Sequence, residues 1–265
     1  MECQLPSDIA RLSVSAATHK GYARNGNEDS FLVDHHIGGG DLDQLTVELM
    51  VGSNAVVLAI ADGLGGHKAG EVASRYAVEQ ISAVREEVDF GDDTSVSELL
   101  DSIGRGLHHQ MLETPALSGM GTTIVLAVVT AQSLTFINVG DSRGYVIDER
   151  GLHQTTYDDV PPKSSTASRR TGAITQALGG IPTRIGVIPH IHRSRLPTGD
   201  WSLILCSDGV TDFLSSREIA SIGRSGNADA MTLVDSALRA GGEDNISAIV
   251  ARYAQYKHND GPAAR

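Results

Sequence analysis

Four apolar runs in this chain begin or end on an aspartate, and that punctuation limits the folds open to it. Asn27-Glu28-Asp29 stands just before one run. Val56-Val57-Leu58-Ala59-Ile60-Ala61 stops at Asp62-Gly63, Leu203-Ile204-Leu205-Cys206-Ser207 stops at Asp208-Gly209, and Asp244-Asn245 opens the last. Short unbroken apolar runs bounded by turn residues read as buried strands. Carboxylates at the mouths of such strands sit on stiff backbone, and several of them brought to one edge make an oxygen-ligand site for hard divalent cations. The glycine after Asp62 and Asp208 is expected to let the chain turn and leave its carbonyl accessible. A single Asp-Gly is an ordinary turn. The weight lies in two such pairs, flanked by Asn-Glu-Asp and Glu-Asp-Asn.

A chain of 265 residues with 40% apolar content can bury one large core. A single domain is expected over residues 1–256, with a loose lead-in at 1–10 and a disordered tail at 257–265. The formal charge of -12 disfavours nucleic acid and anionic membranes as partners and suits divalent cations. No apolar stretch is long enough to span a bilayer and no leader opens the chain, so a cytoplasmic protein is expected. The two cysteines, Cys3 and Cys206, make no disulfide framework, and Cys206 reads as a small core residue. Without a coiled-coil stripe, a monomer is expected.

Strands are expected at 11–17, 30–33, 55–61, 122–130, 133–139, 143–148, 152–156, 184–191, 201–207 and 246–253. Residues 36–53 read as a loop or a frayed hairpin. A short turn at Gly140-Asp141-Ser142 predicts antiparallel pairing of the strands on either side. Ala69, Val72, Ala73, Tyr76, Ala77, Ile81 and Val84 share one helical face, as do Val96, Leu99, Leu100, Ile103, Leu107 and Met111. Ser215 and Glu218 have capping-box spacing, and 228–240 predicts another amphipathic helix. Residues 158–173 carry little apolar content and predict a mobile loop. Antiparallel runs with helices grouped in pairs indicate an α+β sandwich, and the absence of regular strand-helix alternation argues against a Rossmann fold.

Seven stretches in order then resemble the metal-dependent protein serine/threonine phosphatases of the PPM or PP2C type, in their bacterial branch. They are Arg24 with Asn27-Glu28-Asp29; Asp62-Gly63-Leu64-Gly65-Gly66-His67 with Gly70-Glu71; Gly119-Met120-Gly121-Thr122-Thr123; Gly140-Asp141-Ser142-Arg143; Ala177-Leu178-Gly179; Cys206-Ser207-Asp208-Gly209; and Asp244-Asn245-Ile246. The resemblance implies a four-layer α-β-β-α sandwich, two central antiparallel sheets flanked by helix pairs. It implies hydrolysis of phosphoserine and phosphothreonine on proteins by a metal-activated water at a dinuclear Mg²⁺ or Mn²⁺ centre, reversing a Ser/Thr kinase signal. Phosphorylated proteins, a kinase or its substrate among them, are the implied partners.

By that resemblance Asp62 bridges the two ions. Asp29, Asp208, Asp244 and the carbonyl of Gly63 are terminal ligands, and Glu28 holds waters around the metals. Arg24 is the phosphate clamp, because a guanidinium offers paired donors to phosphoryl oxygens; the plainer reading is a surface arginine beside a carboxylate. His67 is a candidate for protonating the leaving oxygen, an imidazole ordinarily titrating near about 6.5. Asp141 and Arg143 are read as tying their turn together, and Thr122 and Thr123 as strand-face residues near the site.

Two departures stand out. A third ion in some bacterial relatives uses an acid just before the Gly-Met-Gly stretch, where this chain has Ser118, its nearest upstream acid being Glu113. The flap before Ala177 is shortened, and its basic trio Lys163, Arg169 and Arg170 either meets an acidic or phosphorylated partner or is a solvated loop. A cysteine phosphatase is excluded because the arginine position of a Cys-x₅-Arg loop from Cys206 holds Asp212. A P-loop enzyme is excluded because no lysine follows Gly119–Thr123. The remaining alternative is a non-catalytic metal-binding signalling module of the same fold.

Overall fold

The structure, a computed structural model, describes residues 10–52, 54–64, 68–162, 173–180, 186–225 and 229–255. The chain begins with β1 (Ala10–His19), β2 (Asp29–Val33), β3 (His36–Gly39), β4 (Leu42–Val51) and β5 (Val56–Leu64). Helices α1 (Lys68–Val84) and α2 (Asp93–Glu113) follow, then β6 (Gly121–Thr122), β7 (Ile124–Val129), β8 (Ser133–Val139), β9 (Arg143–Asp148) and β10 (Gly151–Gln154). The last part holds β11 (Leu178–Gly179), β12 (His190–Arg195), β13 (Trp201–Cys206), the single-turn α3 (Asp208–Thr211), α4 (Ser216–Arg224), α5 (Ala230–Ala240) and β14 (Ile246–Gln255).

These strands form two antiparallel sheets. One has the order β10-β9-β13-β14-β1-β4; the other runs β11-β6-β5-β7-β8-β12, with β2 beside β5 and β3 beside β2. The apolar runs lack alternation because both faces are buried. In β5, Val56, Leu58 and Ile60 fill the space between the sheets, while Val57, Ala59 and Ala61 meet α1 and α2. In β14, Ile249, Ala251 and Tyr253 face the inter-sheet core, while Ile246, Ala248 and Val250 meet Val210, Ile219, Leu233 and Ala237 of the second helical layer. Three apolar cores between four layers give the expected α-β-β-α sandwich. Both helical faces named from the sequence pack on the core, that of α2 buried and that of α1 buried except for the partly exposed Val72, Tyr76 and Val84, and local chemistry fixes the helix starts. Asp92 caps α2 by accepting from the Ser95 N–H, Asp229 caps α5 through Thr232, and Ser215 with Glu218 completes a capping box on α4.

Several expectations need correction. Residues 36–53 hold two regular strands: β3 pairs with β2 in one sheet, and β4 pairs with β1 along ten consecutive residues in the other. The turn at 140–142 does not close a hairpin. β8 lies between β7 and β12, whereas β9 lies between β10 and β13, so this turn carries the chain from one sheet to the other. Gly140 makes that passage at φ +104, where a Cβ would also strike Thr123. Of the strand expected at 184–191, residues 184 and 185 lie outside the described residues and 186–189 are not strand; β12 begins at His190, after Pro189, which has no N–H for a ladder, and runs to Arg195. The run 122–130 breaks at Thr123, whose N–H donates to the Asp62 carbonyl. Ala10 belongs to β1 and not to a lead-in. Residues 1–9, the tail from 256, and 163–172 of the shortened flap, with Lys163, Arg169 and Arg170, lie outside the described residues.

Candidate metal centre

Antiparallel order brings alternate strand ends to one end of a sandwich. The starts of β2, β9 and β14 meet the ends of β5, β8 and β13 there, and the acids of the sequence motifs lie at these termini. Asp29 opens β2 directly opposite Asp62 of β5. Asp208 opens α3 just after β13, and Asp244 precedes β14. The mutual field of these groups shows their proximity. Asp62 is raised well above the usual carboxylate range, first by burial and then by repulsion from Asp29, Asp208, Asp141 and Asp244. Asp208 is pushed up to about 8 by burial, then by Asp141, Asp244, Asp212 and Asp29. Asp29 is raised to about 6 by burial, opposed by hydrogen bonds from Ser247 and Ser207.

Asp29 is the most tightly held. Its Oδ2 accepts from Ser247 Oγ at 2.6 Å and from Ser207 Oγ at 3.0 Å. Since Ser247 donates there, the 2.6 Å contact to Thr18 must run from Thr18 to Ser247, and Asn27 Nδ2 donates in turn to Thr18 Oγ1 at 2.7 Å. This buried chain fixes the carboxyl before any ligand arrives. Its other oxygen, Oδ1, is buried with no hydrogen-bond partner. An orphaned carboxylate oxygen among acids that raise one another's pKa is a site short of positive charge.

Asn245 organises the approach from the chain's other end. Its Oδ1 accepts from the Glu28 N–H at 2.9 Å, and its Nδ2 donates to the carbonyls of Lys20 and Gly26. Loop 20–28 is thereby stapled beside Asp244. Gly63 does not turn the chain as expected, since β5 continues to Leu64. It is glycine for closeness: its N–H donates to the Glu28 carbonyl at 3.1 Å, and a Cβ would sit 2.3 Å from the Gly70 carbonyl oxygen. The Glu28 carboxylate lies against Gly70 in the first turn of α1, where the helix end favours negative charge.

Arg24 donates through Nη2 to Asp244 at 2.7 Å, with its side chain half exposed. The Asp244 hydrogen bond chiefly raises its pKa, with further support from Glu28 and Asp62. Arg143 grips Asp158 through Nε and Nη2 at 2.5–3.0 Å, which ties the crossing turn as expected. Asp141 does more than tie a turn. It is 6% exposed, raised to about 6 by burial, and acts on both Asp62 and Asp208. With Asp212 it adds acids beside Asp208, while Glu113 pairs with His109 at the end of α2. Sequence reasoning passed over Asp141, Asp212, Ser207, Ser247 and Asn245 as functional residues. Asp141 carried the same signal as the others, an acid just past an apolar run. His67 lies outside the described residues.

Among the described residues, no three acidic, imidazole or thiol groups stand close enough to cage an ion directly. The acids instead form a rim of oxygen donors, from buried Asp29 and Asp141 out to the partly exposed Asp244. Such a rim fits small hard cations that keep part of their water, and poorly fits a soft metal demanding a closed thiolate or imidazole shell. Cys206 is no ligand: it is buried as a free thiol, with burial pushing it up to about 12.

Residues 34–245 match the protein phosphatase 2C family. Protein phosphatase PhpP of Streptococcus pneumoniae is 32% identical, the match covering 89% of this chain and 95% of PhpP. Serine/threonine protein phosphatase PstP of Mycobacterium tuberculosis is 29% identical over 93% of this chain, which spans only about half of that relative's length (46%). A solved structure of the PstP catalytic domain in complex with 2 manganese ions superposes with a TM-score of 0.73 at 27% identity, covering 93% of this chain and 99% of that one.

Proposed function

The chain belongs to the protein phosphatase 2C family, and from that premise we propose that it hydrolyses phosphoserine and phosphothreonine on proteins at a pair of manganese or magnesium ions. Phosphorylated products or partners of a Ser/Thr kinase are its substrates, and the cytoplasm is its setting. The observation that carries this reading is the unpartnered, buried Oδ1 of Asp29 opposite Asp62, within a ring of mutually repelling carboxylates. The named relatives, a protein phosphatase and a serine/threonine protein phosphatase, support the same chemistry.

Asp62, with Asp29, Asp208, Asp244 and the Gly63 carbonyl, would hold the pair of ions. Asp141 and Asp212 beside Asp208 are the residues that would hold a third. When bound, such ions favour deprotonation of a water and offset charge on the phosphoryl oxygens. The chain's own groups do the rest. Ser207 and Ser247 keep Asp29 aimed, so no reorganisation is needed as the ligand shell forms. Glu28, held by Gly63 and Asn245 through its backbone, takes hydrogen bonds from waters at the rim. Arg24 stands half exposed at that rim and turns its remaining donors to the phosphate while Nη2 stays on Asp244. His67 protonates the leaving alkoxide.

The test is Mn²⁺-dependent hydrolysis of p-nitrophenyl phosphate and of a phosphothreonine peptide, beside calorimetric Mn²⁺ binding. Asp62→Asn is expected to lower turnover on the order of a thousandfold with its circular dichroism unchanged. Tight Mn²⁺ binding without turnover in the wild type would instead identify a non-catalytic metal-binding signalling module. Failure to bind Mn²⁺ would sink both readings.

A further inference from the structure

β4 is a long, regular edge strand. It hydrogen-bonds to β1 alone among the described residues, in an unbroken register from Leu42↔His19 to Val51↔Ala10. It contains no Pro, Lys or Gly and no bulge, and its two charges, Asp43 on the inner face and Glu48 on the outer one, are both engaged within the chain. Its residues alternate strictly. Leu45, Val47 and Leu49 pack on the inter-sheet core, while Leu42, Gln44, Thr46, Glu48 and Met50 face outward. Helix α5 packs over β1 and β14 and stops short of that outward row. Leu42 and Met50, 58% and 56% exposed, are among the few large apolar side chains left in solvent.

The row is self-complementary. Place a second β4 antiparallel to the first, with the two-fold axis at Thr46. Leu42 then lies opposite Met50 and Gln44 opposite Glu48, each pair made twice, and Thr46 lies opposite Thr46 on the axis. On the inner face Asp43 lies opposite Leu49 and Leu45 opposite Val47. No like charges meet. Asp43 already accepts from the Gly39 N–H at 3.2 Å, and Glu48 pairs with Arg11 of β1. Antiparallel partners directly across from one another share a face of the sheet, so this register also continues the pleat correctly. Moving the axis one residue either way puts Leu42 opposite Glu48 or Gln44 opposite Met50, and loses the match.

We propose that β4 is a homodimerisation edge at which a second copy of this chain adds its own β4, joining two six-stranded sheets into one through the Leu42–Met50 and Gln44–Glu48 pairs. A dimer here replaces the monomer expected from the sequence. The net charge of -12 on each copy opposes association, so the dimer tightens as salt rises.

Sedimentation velocity of the full chain, from low to high micromolar concentration, tests this. The wild type is expected to convert reversibly from monomer to dimer, with more dimer at higher salt. Leu42→Lys with Met50→Lys puts lysines opposite one another at both ends of the paired strands and should weaken dimerisation roughly tenfold or more. Leu42→Lys with Met50→Glu makes opposite charges meet at the same two places and should recover it. Both double variants alter only exposed side chains, so the monomer fold persists and is checked by circular dichroism. A wild type that stays monomeric at every concentration overturns the proposal. So does a dimer that is indifferent to the double lysine or is not recovered by the lysine–glutamate pair.

Discussion

From Val56 to Ala61, β5 is sealed between two apolar cores, each residue at most 4% exposed; at Asp62 the same strand delivers a carboxylate into a cluster of other carboxylates. The first stretch stabilises the fold by removing apolar surface from water. The second opposes folding, because burial and repulsion both penalise its charge. The backbone is continuous across the boundary, so the rigidity generated by the cores is transmitted to the acids. A loop could not hold Asp62 against Asp29, Asp141, Asp208 and Asp244 in this way. The lesson is a division of labour along single strands: the middles supply stability, and the ends spend some of it on a preorganised site.

The contrast can be broken first at its stable end. Leu58→Ala, at a fully buried position between the sheets, should cost about 2–5 kcal/mol in urea unfolding and leave Mn²⁺ affinity of the folded fraction unchanged. A loss of affinity instead would mean that the core and the acidic end do not separate. The acidic end should show the opposite response to pH. Asp29 near 6 and Asp208 near 8 hold protons in the folded state that the unfolded chain has already released. The contribution of these two groups to the stability of the metal-free protein is therefore fullest below the ordinary carboxylate range and falls as pH rises toward 8. Asp208→Asn should flatten the upper part of that fall, and saturating Mn²⁺ should offset it. A melting temperature independent of pH between 5 and 8 would contradict the raised values.

Smaller changes sharpen the comparison. Ser247→Ala removes one of two hydroxyls that stabilise the Asp29 anion, and should weaken Mn²⁺ binding roughly 10–100-fold at a stability cost of only about 1 kcal/mol. Arg24→Ala should mainly raise KM for a phosphopeptide, about tenfold, with kcat nearly kept, since the clamp acts already on bound substrate. An unchanged KM would leave Arg24 as a partner of Asp244 and nothing more.

Much of this was legible in the chain. Asp29, Asp62, Asp208 and Asp244 were marked by their positions at the ends of apolar runs, and the structure brings them to one end of the sandwich. The helical faces of α1 and α2 and the capping box of α4 were readable because helix signals are local: a 3.6-residue period and a side chain three residues from the one it bonds. The hydroxyl relay behind Asp29 was not readable, because Thr18, Ser207 and Ser247 are far apart in sequence, and Thr18 and Ser247 are ordinary strand residues while Ser207 merely follows one. Asp141 was undervalued because the hairpin drawn around it was wrong.

The sequence by itself determined the buried apolar strands outside 36–53, the core-facing sides of α1 and α2 and which acids sit where an apolar run starts or stops, since all of these follow from periodicity and residue chemistry within a few positions. Only the tertiary structure decided which strand joins which sheet. The passages at Gly39–Asp41 and Gly140–Ser142 look like hairpin turns in local chemistry, yet each moves the chain between sheets. That choice rests on how two apolar faces close over one another, an energy summed over residues hundreds of positions apart, and no turn of three residues can encode it.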